Sequence, residues 1–197
     1  MALVTYALTT LDNLKEVLGI TDNSKDTALD NIINRATDTI ESYCGNRRFA
    51  STVYANEEYN GTDTLYINAK QYPITALTGY DRNDGNVGNA DWNSLQSEYI
   101  TYADDGQGPG QFYYQYGFPK GASNFRFSYT AGYSTIPYDL EQSCLQLCSW
   151  YYKSTESMGL QSESLGEYSY TKQQFTGNPI ENLGIDLALE KYRTPTI

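Results

Sequence analysis

The sequence predicts an α+β fold: a small helical bundle with an antiparallel β lobe inserted between its second and third helices. Three observations predict it. Residues 10–43 carry apolar side chains at helical spacing, residues 49–133 change to a period of two with turns rich in Gly, Asn and Asp, and helical spacing returns after Gly132-Tyr133. The bundle is read as a short helix, a long helix, a third helix and a C-terminal arm or helix. The expected segments are 1–48 for the first helical part, 49–133 for the β lobe, 134–160 for the third helix and 161–197 for the arm.

In the first helix Leu11, Leu14 and Leu18 fall at i, i+3 and i+7 on one face. Thr10 is the expected N-cap, and Gly19 supplies a left-handed exit that lets Ile20 fold back. In the second helix Ala28, Leu29, Ile32, Ile33, Ala36, Ile40 and Tyr43 form the apolar stripe, and Asp30, Asn31, Asn34, Asp38 and Glu41 form the polar face. Asn23 with Asp26 three residues later resembles a capping box, and Gly45 ends the helix.

Within the β lobe, Leu65-Tyr66-Ile67, residues 74–80, Tyr99-Ile100-Thr101-Tyr102 and residues 112–116 read as strands. Phe125, Phe127 and Tyr129 alternate with Arg126, Ser128 and Thr130, which marks a half-buried strand. Asp84-Gly85-Asn86 and Asp104-Asp105-Gly106 are turn signals.

Pro137 suits the first position of the third helix, and Asp139 and Glu141 place negative charge near its positive end. Leu140, Cys144, Leu147 and Tyr151 then follow at helical spacing, so both cysteines read as part of an apolar face. This helix is expected to fade near residues 157–159. Residues 161–179 are rich in Ser, Gly, Gln and Tyr and read as an extended arm. A last amphipathic helix over residues 180–192 would use Leu183, Leu187 and Leu189, with Gly184 weakening it, and residues 194–197 should fray.

The composition argues against several kinds of chemistry. With 24 acidic and 13 basic residues the net charge is -11, the opposite of the basic footprint of a phosphate-gripping protein. An acidic surface could instead face passing DNA without holding it. The chain has no histidine, which removes the commonest general base and metal ligand. Gly106-Gln107-Gly108-Pro109-Gly110 lacks the Lys and Ser/Thr of a nucleotide loop. Asp104-Asp105 and Asp81 with Asp84 match no complete calcium loop, and Glu57-Glu58 are adjacent on a strand and so point apart. No catalytic residue, metal site or cofactor is expected. Three cysteines, an odd number, read as reduced thiols. Met1 to Tyr6 has neither a basic start nor an apolar run, so no leader is expected, and no stretch suggests a membrane partner. The 20 tyrosines suit strands, and they also suit interfaces, where the ring packs and the hydroxyl stays wet.

Four stretches carry a resemblance. They are Leu11-Asp12-Asn13-Leu14-Lys15-Glu16-Val17-Leu18-Gly19-Ile20 running into a long helix that ends Ile40-Glu41-Ser42-Tyr43-Cys44-Gly45-Asn46-Arg47-Arg48-Phe49; Tyr72-Pro73-Ile74-Thr75-Ala76-Leu77; Tyr129-Thr130-Ala131-Gly132-Tyr133 followed by Ile136-Pro137-Tyr138-Asp139-Leu140; and Ser164-Leu165-Gly166-Glu167-Tyr168-Ser169. In this order they resemble the head–tail connector family of long-tailed phages, the adaptor or head-completion proteins that bind beneath the portal. Residues 81–121 match nothing in that pattern.

The resemblance implies a structural virion protein at the neck, an adaptor ring expected to hold twelve copies. Its partners would be the portal protein, other copies of itself and the next neck or tail-completion protein. Packaged double-stranded DNA would pass through the lumen without sequence-specific binding. The resemblance also implies a portal-binding arm carrying Leu165, Tyr168, Tyr170, Phe175, Ile180, Leu183, Leu187 and Tyr192. A subunit interface would use Arg35, Asp38, Arg47, Arg48 and Trp150. For Arg47 and Arg48 a second role is open, anchoring the β lobe or clamping a helix end. The alternative function is a lower neck, tail-completion or tail accessory binding protein.

Overall fold

The structure, a computed structural model, describes residues 2–85, 89–103, 110–156, 162–165, 168–171 and 178–193. The chain forms two units. Met1–Gly45 and Ile136–Arg193 make the helical unit, and Asn46–Thr135 make the β lobe between its two halves. The junctions fall at Gly45/Asn46 and Thr135/Ile136.

In the helical unit, α1 spans Leu11–Leu18, α2 Asp26–Tyr43 and α3 Tyr138–Glu156. Helix α1 begins as its sequence predicts: the Thr10 side chain accepts the Asn13 N–H at 3.2 Å. At its end Gly19 takes φ 68°, and the N–H groups of Gly19 and Ile20 return to the carbonyls of Glu16 and Lys15.

The expected cap of α2 is corrected. Lys25 occupies the N-cap and no side chain caps the helix. Asn23 accepts from Lys15 Nζ at 2.7 Å and Asp26 pairs with the same ammonium at 2.9 Å, so both are committed to tying α1 to α2. Two positions of the α2 pattern also differ. Ala28 is exposed, because it sits about 100° around the helix from the buried Leu29. Glu41 is buried, one turn beyond the equally buried Thr37.

Residues before α1 run along α2. The Asn34 side chain accepts from Val4 N at 3.0 Å and donates to Ala2 O at 3.0 Å, and Thr37 Oγ1 accepts from Leu8 N at 3.2 Å. Glu141 on α3 accepts from Thr9 Oγ1 and from Asn13 Nδ2 at 2.6 Å. The core between α2 and α3 is Leu29, Ile33, Ala36, Ile40, Leu140, Cys144, Leu147 and Cys148. The three cysteines are buried and form no disulfide. Contact with Cys144 and burial push the Cys148 thiol far above its ordinary value, so it is held protonated.

The expected single C-terminal helix over 180–192 is broken. Helix α4 spans Pro179–Asn182, α5 spans Asp186–Leu189, and a 3-10 turn covers Glu190–Tyr192. Gly184, at φ 68°, breaks the run. Ile180, Ile185, Leu189 and Tyr192 are buried in the helical unit, and Tyr192 OH donates to Asp139 Oδ1 at 2.7 Å while Lys191 Nζ meets Oδ2 at 2.6 Å. Burial raises the Asp139 pKa, but the hydrogen bonds from Lys191 and Tyr192 outweigh it and hold the carboxyl below its ordinary value. A depressed carboxylate pKa stabilises the fold above the unfolded value, about 3.9, and that contribution is lost as pH falls through the lower folded value. Amide exchange at Leu189 to Tyr192 is therefore expected to accelerate below about pH 4 before it accelerates in the middle of α3. Unchanged protection there at pH 3 would show that Asp139 does not hold this turn.

In the β lobe, β1 is Thr52–Gly61, β2 Thr64–Asn68, β3 Ile74–Asn83, β4 Trp92–Ser94, β5 Ile100–Ala103, β6 Gln111–Phe118 and β7 Gly121–Ala131. They form a four-stranded antiparallel sheet in the order β1-β7-β3-β4 and a three-stranded antiparallel sheet in the order β2-β6-β5. The alternation read in β7 is observed, with Phe125, Phe127 and Tyr129 inward. These rings meet Phe112, Phe118 and Tyr59; Phe112 and Phe127 stack at 4.1 Å, and Phe118 meets Phe125 edge-on at 4.9 Å. The polar ends of two core tyrosines converge on Glu57: both Tyr59 OH, at 2.6 Å, and Tyr129 OH donate to Oε2. Burial and this carboxylate push both hydroxyls above their ordinary values, keeping them protonated donors.

The two ends of the lobe lie together. Tyr133 N donates to Phe49 O at 2.7 Å, Ser51 N donates to Tyr133 O at 3.0 Å, and Gly132 N donates to Pro73 O at 2.9 Å. Gly132 has φ 104°, and a Cβ there would lie 2.5 Å from Ala50 O, so this crossing needs glycine. Beyond α3, Ser162–Leu165 and Tyr168–Thr171 pair as a separate two-stranded ribbon.

Candidate functional site

The candidate subunit-interface residues fall into three settings. Arg47 is 2% exposed and lies inside the β lobe. Its Nε and Nη2 donate to Tyr72 O at 3.0 and 2.7 Å, and its guanidinium stacks 3.5 Å from the Tyr72 ring, with Phe49 at 5.1 Å and Tyr133 at 5.8 Å. Of the two roles open from sequence, the contacts are those of the lobe anchor. Arg48 is half-buried, and its N–H donates to Gln71 Oε1 at 2.8 Å.

Arg35 and Asp38 are exposed on α2 and line one open groove of about 940 Å³ with Val4, Tyr6, Asn34 and Thr39. Arg35 is placed by Tyr151 of α3, whose ring lies 4.2 Å from the guanidinium. Trp150 is half-buried in a second, smaller open groove of about 380 Å³, lined with Val17, Gln146, Lys153 and Leu183.

Helical phase explains why these two sets are apart. The α2 groove residues, from Asn31 through Ser42, are centred about 180° around the helix from Leu29, Ile33, Ala36 and Ile40. On α3 the groove residues, from Gln142 through Lys153, are likewise centred about 180° from Leu140, Cys144, Leu147 and Tyr151. Since α2 and α3 pack through their buried stripes, the two grooves open on sides turned away from the α2–α3 contact.

The candidate arm residues also divide. Ile180 and Tyr192 are buried in the helical unit, Leu183 lines the Trp150 groove, and Leu187 is 82% exposed. Leu165, Tyr168 and Tyr170 lie in a ribbon of two antiparallel strands, β8 (Ser162–Leu165) and β9 (Tyr168–Thr171). Ser162 pairs with Thr171, Glu163 with Tyr170, Ser164 with Ser169 and Leu165 with Tyr168. Phe175, the acids Asp104 and Asp105, residues 106–109 and residues 194–197 lie outside the described residues.

Sequence reading linked the tyrosine-rich strands to a subunit contact without placing the surface, and the structure gathers exposed residues of it on β2 and β6. Leu65, Tyr66 and Tyr116 are exposed there, and Tyr66 meets Tyr113 at 5.2 Å. The exposed tyrosines were countable, but their gathering depends on cross-strand register. Among the described residues no group of three or more His, Cys, Asp or Glu could hold a metal ion, and no helix is long and apolar enough to cross a membrane.

The chain belongs to the head completion protein family, whose model matches residues 7–179. It is accordingly a structural protein of the virion that serves head completion, and not an enzyme. No curated protein matches it.

Three solved structures share the fold. A chain in the neck of an empty gene transfer agent (GTA) particle computed with C6 symmetry is 13% identical, with TM-score 0.60, covering 100% of this chain and 95% of that one. A chain in the virion of a native GTA particle is 15% identical, with TM-score 0.59 and coverage of 100% and 95%. A chain in the neck of a native GTA particle computed with C12 symmetry is 14% identical, with TM-score 0.60 and coverage of 100% and 94%.

Proposed function

We propose that this chain closes into a ring beneath the portal, with about twelve copies as in a C12 neck, extends the DNA channel and presents a surface to the next neck or tail-completion protein. The observation that carries the ring is the pair of grooves on opposite sides of the α2–α3 layer. A closed ring needs a head-to-tail contact between two different faces of each subunit. The α2 face offers Arg35, Asp38, Val4 and Tyr6. The α3 face offers Trp150, Val17 and Leu183, with Lys153 to meet Asp38. Arg47 takes no part in this contact, because it is enclosed in the β lobe.

Portal binding is assigned to the ribbon Ser162–Thr171 and to the exposed Leu187. Ile180 and Tyr192 root the arm in the helical unit. Cutting the chain from Ser162 onward would remove Ile180, Ile185, Leu189 and Tyr192 from that unit's core, so a narrower variant is the informative one. Replacing residues 162–171 by a Gly-Ser linker is expected to leave a folded chain that no longer joins the portal. The test mixes wild-type and variant chains with the cognate portal and images and weighs the products. A stacked ring from the wild type alone supports the reading. A variant that still co-sediments with portal removes the ribbon from the contact. No association of the wild type with an intact portal moves the chain to a lower neck, tail-completion or tail accessory position.

A further inference from the structure

We infer that the β8–β9 ribbons of neighbouring copies pair edge to edge, so that the assembled ring carries a closed β collar. This inference rests on the ring reading above and names what the ribbon meets. The starting point is the ribbon's isolation: it is a sheet of two strands with no third among the described residues. A two-stranded ribbon is marginal in water, and three or more strands or a packing surface are needed for independent stability. Its outer edges present backbone N–H and C=O groups that the β8–β9 pairing leaves unused, and such groups act as a template for a further strand.

Two features select a second copy as the occupant. The two open edges differ, one belonging to β8 and the other to β9. A foreign strand added to one edge would leave the other open, whereas a ring of identical copies sets the β9 edge of each against the β8 edge of the next. Every edge is then satisfied at once, and closure abolishes edges altogether. The ribbon is also continuous in sequence with α3, whose outer side forms half of the proposed subunit contact. Neighbouring ribbons are thus delivered by the elements that already bring copies together.

The dimensions are compatible with the proposed channel. Twelve ribbons contribute about 24 strands, which at ~4.8 Å each give a circumference of about 115 Å and a backbone diameter of about 37 Å before tilt widens it. Duplex DNA passes through such an opening. The edges serve neighbours, which leaves the faces of the ribbon for the portal.

The test uses mixed rings. Ser164→Cys copies and Ser169→Cys copies are combined, assembled on the portal and oxidised gently; a second pair, Ser164→Cys with Thr171→Cys, covers a register shifted by two residues. Paired strands hold Cα atoms about 4.5–5.5 Å apart, within disulfide range, and the native cysteines are buried. Disulfide-linked dimers are expected in the mixtures and not with either variant alone. Rings that form normally yet give no mixed dimers with either pair overturn the collar and leave the ring reading standing. If the wild-type chain forms no ring on its portal, the ring reading and the collar fall together.

Discussion

Replacing Arg47 with alanine is expected to cost the β lobe about 3 kcal/mol or more. The side chain reaches two ends of the lobe at once. It donates twice to Tyr72 O, stacks on Tyr72 and lies against Phe49 and Tyr133. Alanine leaves a buried carbonyl without its charged donor and opens a void among three rings, and each loss falls in the class of large single-site effects. Lysine keeps the charge but loses the planar stack and the paired donors, so an intermediate loss is expected. The measurement is straightforward because the two tryptophans divide between the units, Trp92 in the lobe and Trp150 in the helical unit. In a Trp150→Phe background, fluorescence during urea unfolding reports the lobe alone. An unchanged midpoint for Arg47→Ala would show that the cage contributes no stability.

Trp150→Glu is expected to abolish ring assembly while leaving the subunit folded. Trp150 is half-buried in an open groove, so the monomer loses little, but a buried aromatic anchor at an interface is worth roughly 2 kcal/mol or more, and each ring requires that contact at every joint. Arg35→Glu on the opposite face should have the same effect, with only a modest loss from its exposed contact over Tyr151. Mixing the two variants separates head-to-tail from symmetric pairing. Each Trp150→Glu copy keeps an intact α2 face and each Arg35→Glu copy an intact α3 face. One good joint can form between them and then growth stops, so sedimentation should show dimers and no rings. Full rings from either variant alone would remove that residue from the joint.

Much of this was legible in the sequence, and the failures have physical causes. Helices α1, α2 and α3 were readable because their apolar spacing is undisturbed, and β7 because its aromatic residues alternate without a break. Strand β1 was not singled out: its register shifts between Tyr54 and Glu57, and Asn56 adopts φ 54°, so the bulge erases the period of two. The role of Arg47 stayed open because the groups that enclose it, Tyr72 and Tyr133, are distant along the chain. The cap of α2 misled because Asn23 and Asp26 carry capping chemistry but spend it on Lys15. The β8–β9 ribbon had a signal that was read only as an extended arm: Gly166-Glu167 separates two short alternating stretches, the pattern of a two-residue hairpin turn.

The joined ends of the β lobe bear on how proteins of this kind can diverge. In the β3–β7 ladder, Ile74 pairs with Ala131 beside the crossing at Gly132, whereas Arg82 pairs with Phe125 at the far end. The connection from Asn83 to Trp92, within the part of the sequence that matches no connector pattern, therefore springs from the end of this ladder remote from the crossing. Residues can be gained, lost or exchanged there without disturbing the stitches between Phe49, Ser51, Pro73 and Tyr133. The lobe behaves as a cassette: its far tip is free to follow a changing neighbour in the particle, while its root keeps one geometry.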